Sequence, residues 1–86
     1  MNIDYENIER DVLDGTFKTR LQEELTPGFR QIHASGERLP VASHYAAQIA
    51  EIVNRDVALS EHVKYELYQE ILAAVEGARD AVLGEG

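Results

Sequence analysis

Residues 60–83 read SEHVKYELYQEILAAVEGARDAVL, the longest segment of the chain whose apolar residues keep one helical period from end to end. Val63, Leu67, Ile71, Ala74, Ala78 and Val82 recur at spacings of four and three. At about 100° per residue they form one stripe, which Tyr68 and Val75 widen into the arc of a core-facing amphipathic helix. Glu61, His62, Glu66, Gln69, Glu70, Glu76 and Asp80 occupy the other side and should face water, because burying a charge without a partner is costly. Ser60 is placed to cap the first turn, with Glu61 at the positive end of the dipole. Gly77, inside the helix, costs about 0.5–1 kcal/mol relative to alanine and marks either a close helix approach or a tolerated defect.

Working outward, Pro40 or Val41 to Arg55 is helical again, with Ala42, Tyr45, Ala46, Ile49, Ala50, Ile52 and Val53 expected inward. Ala42, Ala46 and Ala50 should leave a shallow groove for a neighbouring helix, met by alanines 74, 78 and 81. The short connector Asp56 to Leu59 predicts an antiparallel hairpin of these two helices.

The amino-terminal third, Asn2 to Leu25, carries two stripes. Tyr5, Ile8 and Val12 share one face, while Leu13, Phe17, Leu21 and Leu25 share another. Asn2 or Asp4 is the expected first cap. The seam at Asp14-Gly15-Thr16 predicts a kink or short break, with Thr16 capping the second helical segment. Thr26-Pro27 reads as the start of a separate short helix to about Ala34, with Phe29, Ile32 and His33 inward. Ser35-Gly36 then ends it and Glu37 to Pro40 should be extended. The expected fold is therefore all-α: a compact helical bundle of three long helices, the first kinked near Gly15, plus one short helix. It forms a single domain over residues 1–86 with a loose tail at 84–86.

Composition narrows function more by exclusion than by assignment. The chain has 86 residues, a formal net charge of −8 and no cysteine, so a disulfide framework and a thiolate metal site are excluded. Seven acids face three bases in residues 1–26, three face three in 27–59, and six face two in 60–86. Both ends are acidic. Such a surface repels phosphate backbones and anionic lipid, so direct nucleic-acid binding is disfavoured and a basic protein partner is favoured. No apolar run reaches the roughly 18 residues of a membrane span, and the acidic start differs from a basic signal leader. A cytoplasmic location is the expectation.

His33, His44 and His62 match no zinc or haem spacing, so neither a metal nor a cofactor is expected. Exposed helical carboxylates lack the desolvation that tunes an acid or base, and the expectation is a protein without enzymatic activity. Two surfaces stand out. Tyr65, Leu72 and Leu83, flanked by Glu61, Glu66, Gln69 and Glu76, form a candidate edge for a partner or a second subunit. Glu6, Glu9, Asp11 and Asp14, together with Glu70 and Asp80, form a candidate acidic patch.

The leading expectation is a small acidic interaction protein, of the general type of phage or mobile-element inhibitors, that covers a basic nucleic-acid-binding surface of its partner. A homodimeric structural or regulatory subunit is the alternative. A helix-turn-helix regulator ranks lower, because the helix after the 56–59 connector exposes mainly acids.

Overall fold

The computed structural model describes residues 6–85. Four helices follow one another, α1 (Ile8–Asp14), α2 (Thr16–Ala34), α3 (Ala42–Asp56) and α4 (Glu61–Gly84), with no strand among the described residues. Three are long and one is short, but the short one is the first and not the expected 27–34 segment. The first cap sought at Asn2 or Asp4, and Tyr5 with it, lie outside the described residues.

α4 is the element the others pack on. Leu67, Ile71, Ala74, Val75 and Ala78 are fully buried, and Val63 and Val82 nearly so. Its N-terminus is capped as its sequence implies, the Val63 amide donating to Ser60 Oγ at 3.3 Å. At about 1.5 Å per residue its 24 residues span roughly 36 Å. That length sets the long dimension of the molecule, whose extents are 39 × 20 × 19 Å.

α2 runs alongside α4 in the same direction. Gln22 meets Gly77, and Arg30 meets Glu85, at the same sequence offset. α3 turns back beside α4, so that Ala47, Ala50 and Asn54 share a groove with Lys64 and Tyr68. α1 touches α2 and α4. α2 and α3 meet through side chains: the Phe29 and Tyr45 rings stack edge to face at 5.6 Å and 70°.

The break between α1 and α2 falls at Gly15, whose φ of +86° is a left-handed conformation that side-chain-bearing residues rarely adopt. Thr16 is not the cap. Its amide donates to Asp14 Oδ1 at 2.9 Å, so Asp14 serves the start of α2. Past this turn the inward stripe is Phe17, Leu21, Leu25 and Phe29, and Leu13, expected to lead it, is 57% exposed.

Pro27 begins nothing, because α2 continues through it. The missing amide would have served the Glu23 carbonyl, and both residues lie on the exposed side of the helix where water can replace the bond. Leu25 and Phe29, buried on either side of Pro27, keep the stripe in register. The helix ends where Ser35-Gly36 implied, the Glu37 amide returning to the Ile32 carbonyl at 3.2 Å.

Three inward assignments move outward. Ile52 is 46% exposed, and His33 and Ala81 are exposed. α4 also continues through Gly84, and Glu85 is gripped by Arg30, Nε to Oε2 at 2.9 Å and Nη2 to Oε1 at 2.6 Å. Residues 84 and 85 thus belong to the bundle and not to the expected loose tail.

Gly77 is a close approach. A Cβ there would lie 2.7 Å from Gln22 Cδ and 2.9 Å from its Nε2. The obstructing group is the free end of a flexible, half-exposed side chain, which can swing aside. Gly77→Ala is therefore expected to raise stability slightly, the helix gain of about 0.5–1 kcal/mol exceeding the lost contact. Thermal denaturation checks this, and a loss above about 1 kcal/mol would mean that Gln22 cannot move.

Candidate functional surface

The outer face of α4 carries a surface on which large apolar side chains line up. Tyr65 is 63% and Leu83 50% exposed, with Leu72 half-buried against the core between them. Gln69, Glu76 and Asp80 border the strip and are exposed. Glu61 stands at its start, its side chain 94% exposed and 3.5 Å from Lys64. Glu66 does not belong to it. It is half-buried and sits about 120° round the helix from Leu72.

The acidic patch expected near the amino terminus does not assemble as such. Asp11 is buried to 5% exposure, with Arg10 at 3.4 Å and Arg20 at 3.5 Å from its carboxylate. The cause is the helical period, which puts position 11 on the face of Ile8 and Val12. Asp14 is engaged at the start of α2, and hydrogen bonds from the Thr16 hydroxyl and amide hold its carboxyl below the usual range. Glu6 and Glu9 are exposed at the beginning of α1. Glu70 is half-buried, and Asp80 belongs with the α4 strip.

One residue that sequence reasoning passes over completes the strip. Arg79 lies half-buried on α4 beside Leu83, where it helps to line a hollow with Arg38, His33 and Leu39. Its Nε is buried without a hydrogen-bond partner. Among the described residues neither Arg79 nor Arg38 makes an ion pair. The signal that could have found Arg79 is the spacing of Tyr65, Leu72 and Arg79 by sevens.

His33, His44 and His62 are all exposed, and among the described residues no group of His, Asp or Glu is gathered that could hold a metal. No helix among them is long and apolar enough to cross a membrane. Concavities lie between α3 and α4, at Glu6 to Arg10 with Val57 to Leu59, and around Arg79. Comparison with family models, with curated proteins and with solved structures finds no match.

The Arg30–Glu85 pair is the clearest electrostatic feature outside this surface. Hydrogen bonding to the guanidinium holds the Glu85 carboxyl below its ordinary 4.5, and the same bond raises Arg30. A carboxyl whose folded value is depressed contributes stability above its ordinary value and loses it as pH falls through the folded one. The tether of α4 to α2 should therefore persist at pH 5 and loosen only in stronger acid. Side-chain carbon NMR should place the Glu85 midpoint below that of an ordinary glutamate, and Arg30→Gln should return it there.

Proposed function

We propose that this chain is a non-enzymatic protein-interaction module that docks through the outer face of α4. Supporting this reading is the alignment of Tyr65, Leu72 and Leu83 on a helix whose buried half is already complete, bordered by Glu76 and Asp80, which make no ion pair among the described residues. Tyrosine and leucine at the centre of such a strip supply contact area, and the carboxylates around it select partners by charge. The net charge of −8 favours a protein with a basic surface. A small inhibitor that offers carboxylates where phosphates would otherwise bind is the form this reading takes.

The test is capture of basic nucleic-acid-binding proteins on the immobilised chain at increasing salt, with Tyr65→Ser/Leu83→Ser as control. Captured partner should be lost as salt rises, and lost at low salt with the double variant. Duplex nucleic acid should compete for the same partner. Retention indifferent to salt and to the variant would overturn the proposal. Saturable binding of the chain itself to duplex DNA would favour the helix-turn-helix regulator instead. A homodimeric subunit is the second reading, favoured by Arg79 on the same face, which has no ion-pair partner among the described residues.

A further inference from the structure

We infer that the first occupant of the α4 face is a second copy of this chain, packed antiparallel about a two-fold axis at Leu72. The inference rests on the reading of that face as a docking surface and names its partner.

Tyr65, Leu72 and Arg79 are separated by seven residues each. Seven residues return an α-helix to within about 20° of its starting direction, so the three lie on one line, as in the seam of a coiled coil. Leu72 is the midpoint. A two-fold axis there sets Leu72 against Leu72 of the other copy and places Tyr65 of each copy against Arg79 of the other. Glu61 and Leu83 are also equidistant from Leu72. The same axis therefore brings each Glu61 to the end of the opposing strip, one turn from Arg79 and beside Arg38.

The chemistry matches the geometry at both ends. Arg79 is a guanidinium with no ion-pair partner among the described residues, packed down through its buried Nε. An opposing tyrosine ring and carboxylate supply a cation–π contact and a charge-assisted hydrogen bond. Glu61, at the other end, is almost fully exposed, with Lys64 at 3.5 Å as its ion-pair partner among the described residues. A parallel pairing would set Arg79 on Arg79 and Glu61 on Glu61, like charges at contact. Arg79 and Arg38 make one end of this strip positive, while Glu76 and Asp80 border the rest. The chain provides the complementary acid itself.

Sedimentation velocity on the full chain at 0.15 M salt, where charge repulsion beyond about 8 Å is screened, tests this from micromolar to sub-millimolar concentration. A concentration-dependent monomer–dimer equilibrium is expected. Arg79→Glu should weaken it at least tenfold, and the exchange Arg79→Glu with Glu61→Arg should restore most of the loss. Circular dichroism melting confirms that each variant folds, since both positions lie on the outer side of α4. A monomer throughout, or a dimer indifferent to Arg79→Glu and to Tyr65→Ser, overturns the inference. Capture of a basic protein by a chain that stays monomeric sinks the second copy alone. Charge-exchange rescue of the dimer with no such capture upholds the second copy and removes the separate basic partner.

Discussion

Phe29→Ala is expected to lower the unfolding free energy by about 3–5 kcal/mol, the range for removing a buried aromatic ring. Phe29 is 3% exposed, and its ring meets Tyr45 edge to face at 5.6 Å. Two circumstances push the effect upward. α2 and α3 make no close backbone approach, so they are joined by side chains, this ring pair among them. Phe29 also follows Pro27 and Gly28, the residues that least favour helix, so burial of its ring secures the last turns of α2. A domain of 86 residues has a total stability of about 4–13 kcal/mol at typical per-residue values. At the lower end of that range a substantial unfolded fraction is expected at 37 °C. Urea denaturation measures the loss, and a cycle with Tyr45→Ala should return a coupling of about 0.5–1.5 kcal/mol. A midpoint like the parent's would remove Phe29 from the contact between α2 and α3.

Ile71→Ala should cost about 2–5 kcal/mol, toward the upper end. Ile71 is fully buried at the middle of α4, with Leu67, Ala74, Val75 and Ala78, all fully buried, on the same helix. Alanines carry no side chain long enough to collapse into the space, so the cavity persists and the full penalty is felt. Ile71→Val, which removes one methyl group, should cost only about 0.5–1.5 kcal/mol. The pair of variants separates cavity cost from any general disturbance of α4. Equal melting curves for both and the parent would place Ile71 outside the core.

Both predictions concern residues whose burial is legible in the chain. The α4 stripe from Val63 to Val82 is enclosed as its period implies, and Ser60 caps it. Periodicity succeeds there because one helix with one apolar face admits only one orientation against a core. It fails where two local rules compete. Thr26-Pro27 carries the dipeptide signature of a helix start, yet the stripe running through Phe17, Leu21, Leu25 and Phe29 overrides it, since burying four large side chains outweighs one absent hydrogen bond on a wet face. Spacing alone assigns Leu13 to that stripe. The left-handed turn at Gly15 redirects the chain and leaves Leu13 in water.

The candidate surface divides in the same way. Tyr65 and Leu83 are identifiable as outward-facing from the helical wheel, because exposure on a single helix depends only on angle. The pairing of Asp11 with Arg20 and the hollow beside Arg79 are not, because each needs a second element packed against the helix. The amino-acid sequence by itself determined that the chain is helical, where its longest helix buries its aliphatic side, and that its charge is strongly negative. Those properties are local or additive. Only the tertiary structure decided that α2 passes unbroken through Pro27 and runs parallel to α4, that Asp11 is enclosed beside Arg20, and that Arg79 borders a hollow it shares with Arg38. Each of these is set by which elements meet and at what register, and that is a balance of packing energies summed over the whole bundle.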